Sequence, residues 1–361
     1  MNFKRLGSVA AIAVAGTILL SSCAANEGTT TPEEGGSTLS GIISGAGASS
    51  QGSAQEAWQA AFQIENPDVT VNYDPSGSGA GREQFIAGGV AFAGTDSSLS
   101  DEEIAGGFAG CVPTSNYIEV PNYISPIAVI FNVEGVTELN LDSATLASIF
   151  KGDITKWNDD AIVALNPDAT LPDATITAVH RSDDSGTTKN FADYLGKTSP
   201  DIWDAEAADT FPYKGEAAAK TAGVVAAVTD GTNTIGYADA SQAGDLGVAK
   251  IKVGDEFVAY TPEAAAAVVE GSPAVEGRDA TDLAIALDRT TTDPTHYPLV
   301  LVSYIIACGE YEDADVAAIA KPYIEYITSE DGQAAAADAA GAAPLSADLS
   351  AKVATAVATI K

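Results

Sequence analysis

The sequence predicts an α/β fold built on a mostly parallel sheet, with ligand chemistry gathered where strands end and helices begin. Three observations carry this. Residues 39–96 alternate β-branched runs with helical periodicity in a β-α-β-α-β order. Three strand-to-helix junctions share one composition: GAGASS at 45–50, SGSGAG at 76–81 and RSDDSGTT at 181–188. The chain, at 361 residues, is long enough for two cored domains after removal of a leader.

The leader comes first. Lys4 and Arg5 precede an apolar stretch from Val9 to Leu20, shorter than the roughly 20 residues a membrane span needs. Leu20-Ser21-Ser22-Cys23 then resembles a bacterial lipobox, in which the cysteine is lipidated and becomes the new N-terminus. The other reading is an ordinary secretory signal with an incidental cysteine. Residues 1–22 are thus a signal segment. Residues 23–38, with no apolar periodicity and a Thr/Pro/Gly-rich composition, are a flexible tether.

Leu39 to Ser44 is a short strand, followed by the first glycine-rich loop and a helix with Ala54, Ala57, Trp58, Ala61 and Phe62 on one face. Val69 to Tyr73 alternates as a strand, a short helix covers Arg82 to Ala87, and Val90 to Gly94 is a strand delivering Thr95 and Asp96 at its end. Ser100 followed by Asp101, Glu102 and Glu103 starts a third helix. Pro121 to Pro126 breaks the rhythm before a buried strand, Ile127 to Phe131. Helices are expected at 143–150, 162–166, 217–229, 314–328, 331–340 and 349–360. Strands are expected at 174–179, 234–237 and 297–306, with a hairpin at 251–260. Trp58 and Trp157 are expected in the core.

Composition excludes some functions. The formal net charge is −33, near −35 once Lys4 and Arg5 are removed with the leader, so nucleic acid is excluded as a partner. With Cys23 taken by lipid, Cys111 and Cys308 remain in an oxidising compartment and are expected to form one disulfide; two buried thiols are the alternative. No cofactor is expected. Metal binding has little support, because His180 and His296 have no cysteine or histidine close by.

The loops point to an anion. Glycine lets backbone N–H groups approach a ligand, Ser and Thr add donors that also cap helices, and Arg181 adds a cationic fork. Gly45-Ala46-Gly47 opens like a dinucleotide fingerprint, but position 50 is Ser50, and Asp74 lies too far on to serve as its acidic partner. A small tetrahedral oxyanion fits better.

At these residues the chain resembles a known family. GAGAS, GSGAGREQFIAGGVAFAGTDSSLS, LASIFKGDITKWNDDAIVALNP, HRSDDSGTTKNFADYL and IGYADAS are similar to segments of the phosphate-binding lipoproteins that feed high-affinity phosphate ABC importers. The resemblance implies a type II periplasmic-binding-protein-like fold, with two α/β lobes, a two-strand hinge and the anion in the interlobe cleft. It places phosphate on Ser49, Ser50, Ser78, Asp96, Arg181, Ser185, Gly186 and Thr187, with Asp183 orienting Arg181. Ser49 stands where Thr is common and Ser50 where an aromatic is often found. Lobe 1 is expected to comprise 39–122 plus 299–361, and lobe 2 123–298. Arg82 is expected either to reach Asp96 or the ligand, or to be a surface helix residue. The implied partners are inorganic phosphate, a transmembrane permease, and the outer face of the cytoplasmic membrane through the lipid on Cys23; a monomer is expected. Two alternatives remain. One is the same fold taking sulfate, molybdate or a phosphonate. The other is a secreted phosphatase or serine hydrolase, disfavoured because neither histidine belongs to a readable triad.

Overall fold

A computed structural model describes residues 39–361; the leader, Cys23 and the whole tether lie outside the described residues. The first elements are β1 (Gly41–Gly47), α1 (Gly52–Glu65), β2 (Val69–Asp74), α2 (Ser78–Ile86), β3 (Phe92–Thr95) and α3 (Asp101–Gly106). β1 pairs in parallel with both β2 and β3, giving the predicted parallel arrangement. α1 buries Ala54, Trp58 and Phe62, and α3 opens with a reciprocal capping box between Ser100 and Glu103. α2 starts four residues earlier than the sequence suggested, so the second glycine-rich loop is itself the first turn of a helix.

Next comes β4 (Tyr117–Asn132), a single strand where a break was expected. Pro121 and Pro126 are accommodated inside it. Tyr304 of β12 (Val300–Cys308) pairs with Pro121 and Ser303 pairs with Tyr123, so Asn122 is the extra residue of a bulge. Residues Tyr117–Pro126 of β4 pair with β12, and Ile127–Asn132 pair with β8 (Thr234–Asp239), both antiparallel. One strand therefore belongs to two halves of the sheet.

The second half contains β5 (Asn140–Leu141), α4 (Ser143–Lys151), α5 (Asp160–Leu165), β6 (Thr177–Arg181), α6 (Gly186–Thr198), β7 (Glu216–Ala218) and α7 (Lys220–Asp230). After β8 follow β9 (Gly247–Val248), β10 (Lys250–Val253), β11 (Glu256–Val258) and α8 (Pro262–Glu270). Past β12, α9 (Ala314–Ile327), α10 (Glu330–Ala340) and α11 (Ala347–Val357) end the chain. The main sheet runs β2-β1-β3-β12-β4-β8-β6-β7, with β9 also on β4; β11-β10-β5 is a small separate sheet. Two departures matter for function. β6 continues through His180 to Arg181, and residues expected in the helix at 217–229 form β7 first.

Trp58 and Trp157 are fully buried, as expected. In the second half Phe150, Phe191, Trp203, Phe211 and Tyr237 form an aromatic cluster, on which His180 stacks against Phe211. Cys111 and Cys308 form a disulfide with Cα atoms 5.2 Å apart, tying the segment before β4 to the end of β12. Among the described residues no helix is long and apolar enough to cross a membrane.

Candidate functional site

The three loops and the end of β3 meet at Asp96. β1 and β3 approach so closely at Gly47 that a Cβ there would lie 1.9 Å from the Gly94 carbonyl oxygen. This places Ser50, at the start of the α1 turn, against the strand end. Ser50 Oγ donates to Asp96 Oδ1 at 2.7 Å. From the second loop, Ser78 Oγ accepts the Asp96 amide at 3.1 Å. From the third, Thr187 Oγ1 donates to Asp96 Oδ2 at 2.9 Å. Gly186 has no room for a side chain, because a Cβ would fall 2.7 Å from Asp96 Cβ and 2.8 Å from Ser78 Oγ.

Arg181 is held from both sides. Its Nε donates to Asp183 Oδ1 at 2.8 Å and its Nη2 to Asp183 Oδ2 at 2.5 Å. Its amide donates to the Tyr237 hydroxyl, which is also bonded to Thr188 Oγ1 at 2.7 Å. Nη1 has no acceptor among the described residues, so one edge of the guanidinium stays available. Asp183 Oδ1 also accepts the amide of Lys220, which has φ 63, a left-handed conformation uncommon outside glycine. Burial pushes the Asp183 carboxyl upward, but the bonds and charge of Arg181 outweigh it and hold the group below its ordinary range. Ser185 caps α6, its Oγ accepting from the Thr188 amide.

Of the eight candidate ligand residues, Ser50, Ser78, Gly186 and Thr187 pack on Asp96, Arg181 acts on it through charge, and Ser185 adjoins Gly186 in the third loop, all of them buried. Ser49 is the exception in role. Its hydroxyl bonds Thr221 Oγ1 at 2.9 Å and accepts the Thr221 amide, tying the first loop to the start of α7. Arg82 is buried rather than on the surface, and it does not touch Asp96. Its Nε pairs with Glu103 at 2.9 Å, Nη1 with Thr95 Oγ1 at 3.2 Å, and Nη2 with Asp209 Oδ2 at 2.7 Å. The helix carrying it starts at Ser78, which turns Arg82 inward toward β3.

Several residues were not singled out from the sequence. Ser303 donates to Asp96 Oδ1 at 2.6 Å; a lone serine inside the apolar run Val300–Ile306 was its only signal. Asp209 accepts from Ser97 Oγ and Arg82 and gives its carbonyl to the Ser185 amide. Asn190 donates to the Asp96 and Gly186 carbonyls, and its own carbonyl oxygen accepts from the fully buried Arg289. A cavity of about 190 Å³ lies beside Asp96, with Lys189, Lys197 and Arg289 on its wall. Burial pushes the Asp96 carboxyl above its ordinary value, while the hydroxyls of Ser303, Ser50 and Thr187 and the charge of Arg181 pull it back.

Two α/β halves joined through long strands, with polar loops closing on one buried point, define the two-lobed class of solute-binding proteins. The comparisons with known proteins agree. The profile described as PBP superfamily domain matches residues 32–331. Phosphate-binding protein PstS2 of Mycobacterium bovis is 33% identical over 99% of both chains. Phosphate-binding protein PstS 3 of Mycobacterium tuberculosis is 35% identical over 90% of this chain and 91% of its own. Among solved structures, a high affinity periplasmic phosphate-binding protein bound with phosphate superposes with a TM-score of 0.70 at 21% identity, covering 87% of this chain and 93% of that one. A putative phosphate ABC transporter substrate-binding protein with bound phosphate, from Clostridium perfringens, gives 0.59 at 21% identity, covering 84% and 100%. The chain belongs to the phosphate-binding protein family of the PBP superfamily.

Proposed function

We infer that the protein captures inorganic phosphate between its lobes and delivers it to the permease of a phosphate ABC importer. The observation that carries this is Asp96: a buried carboxylate at the meeting point of three donor loops, beside an arginine with a free edge. A carboxylate repels most anions. Phosphate near neutral pH still carries a proton, and Asp96 accepts it while Arg181 and the loop donors take the unprotonated oxygens. Sulfate has no proton to offer and meets Asp96 as an unpaired like charge. Ser50, Ser78, Ser185, Gly186 and Thr187 supply hydroxyls and amides, Asp183 orients Arg181, and Ser49 acts on closure through Thr221.

The lobes divide at the crossing strands, lobe 1 comprising 39–122 with 299–361 and lobe 2 comprising 123–298. One segment of that second range, around Thr281–Leu283, lies along β4 at Glu119 and straps the lobes together. Lipidation of Cys23 anchors the protein, as a monomer, to the outer face of the cytoplasmic membrane. It binds and releases phosphate and catalyses no reaction. The family relationship and the leader motif support this placement.

The test is calorimetry with phosphate, sulfate and molybdate on the wild type and Asp96→Asn, alongside an assay of phosphate ester turnover. Phosphate binds selectively, no ester is hydrolysed, and Asp96→Asn markedly narrows the phosphate-over-sulfate preference. Ester hydrolysis, or an unchanged preference, overturns the reading.

A further inference from the structure

Asp96 can discriminate between anions only while it remains an acceptor, and burial works against that. The structure shows what opposes burial. Ser303, on the crossing strand β12 at its bulge with β4, gives its single O–H to Asp96 Oδ1 at 2.6 Å. Its oxygen accepts from Gln51 Nε2, also at 2.6 Å. Gln51 Oε1 accepts from Gln55 Nε2 at 2.9 Å, and Gln55 Oε1 accepts from the Tyr323 hydroxyl at 2.9 Å. Ser303, Gln51, Gln55 and Tyr323 are all essentially inaccessible to solvent.

The bonds therefore run head to tail: Tyr323 to Gln55, Gln55 to Gln51, Gln51 to Ser303, Ser303 to Asp96. Their direction is fixed at Gln51, whose Nε2 also faces the Tyr304 carbonyl oxygen, a pure acceptor, at 3.4 Å. With its oxygen occupied by an incoming donor, the Ser303 hydroxyl is left pointing its proton at the carboxylate. A proton on Oδ1 of Asp96 would meet that donor head-on.

We propose that Ser303 is a positioning residue for anion choice, holding Asp96 as an acceptor through a buried chain of hydrogen bonds that starts in the C-terminal helices at Tyr323. This rests on the reading of Asp96 given above and adds the residue that maintains it. Burial raises the Asp96 carboxyl, and the Ser303 bond is the strongest influence pulling it down. Other groups also face Asp96. Arg181 on β6 favours its charge and Asp239 at the end of β8 opposes it, while Tyr73 on β2, whose ionisation burial and Asp96 suppress, faces it as a neutral phenol. Lys189, Asp193, Lys197 and Arg289 share the cavity on its other side. None of these is changed by altering Ser303.

The experiment measures phosphate and sulfate affinity between pH 4 and 8 for wild type, Ser303→Ala, Ser303→Thr and Asp96→Asn. In wild type, sulfate binding emerges only as falling pH protonates Asp96. In Ser303→Ala, that emergence moves to higher pH by about one unit, the size expected for one lost hydrogen bond to a charged group. Ser303→Thr, which keeps the hydroxyl, restores the wild-type profile. Asp96→Asn, with nothing to titrate, loses the pH dependence. If Ser303→Ala weakens both anions equally with an unmoved profile, Ser303 is merely structural and the proposal fails while the role of Asp96 stands. If Asp96→Asn also keeps the wild-type preference, the reading of Asp96 itself fails.

Discussion

Closure of the lobes should depend on an ion pair that borders the site without belonging to the candidate ligand set. Arg82 on α2 reaches across to Asp209, which precedes the β7 strand; the Nη2 to Oδ2 distance is 2.7 Å, and the side chains are 10% and 13% exposed. The other carboxylate oxygen of Asp209 accepts from Ser97 Oγ, and its carbonyl accepts from the Ser185 amide in the third loop. Separating the lobes breaks the side-chain bonds and returns both charges to water, so Asp209→Ala destabilises the closed form selectively. One charge-assisted bond and one hydroxyl bond at a largely buried site contribute about 2–3 kcal/mol after partial resolvation. A closed form less populated by that amount weakens phosphate binding by about 30- to 150-fold, mainly through faster release. Burial raises the Asp209 carboxyl, but Arg82 and Ser97 pull it below its ordinary range. Its contribution is therefore complete above the ordinary aspartate pKa and is lost only as pH falls through the depressed one. Calorimetry and stopped-flow dissociation on Asp209→Ala, Arg82→Ala and the double variant measure the coupling. A phosphate affinity within threefold of wild type, or two single effects that simply add, would refute the latch.

Three other outcomes follow. Arg181→Ala removes charge-assisted bonds to the anion, each worth about 1.5–3 kcal/mol, so phosphate affinity falls by several powers of ten while the circular dichroism spectrum is retained; binding within a few-fold of wild type would place the site elsewhere. Replacing both Cys111 and Cys308 by Ala frees a loop of 197 residues in the unfolded chain, lowering stability by about 5 kcal/mol in denaturant titration with phosphate affinity unchanged, since the bridge lies away from Asp96. The net charge of −33 repels phosphate at long range, so association measured by stopped flow speeds up modestly with added salt; steep slowing would show that Lys189 and Lys197 at the cavity wall dominate the approach.

What could be read from the sequence was whatever is local. A strand, a turn of Gly, Ser and Thr, and a helix lie within some twenty residues, so each loop could be read as a donor turn by itself; it was the resemblance to the phosphate-binding lipoproteins that put Ser50, Ser78, Gly186 and Thr187 at one site. Asp183 lies two residues from the arginine it orients. The disulfide followed from there being three cysteines, one of them in the leader motif. The bonds that were missed are those the fold alone creates. Ser303 lies 207 residues from Asp96, Asp209 lies 127 from Arg82, and Thr221 lies 172 from Ser49. No local periodicity records such pairings.

The break expected at Pro121 to Pro126 shows the same limit from the other side. Proline lacks an amide donor and locally argues against a strand. Yet β4 carries an extra residue, Asn122, opposite Ser303 and Tyr304, and Asn122 at that bulge bonds Gln51 at 3.2 Å. The feature that misled the local reading thus helps build the chain of bonds ending at Asp96. The irregularity beside Pro121 in the crossing strand lies directly opposite Ser303, the residue that donates to the carboxylate, so the joint between lobes and the chemistry of the cleft meet at one place.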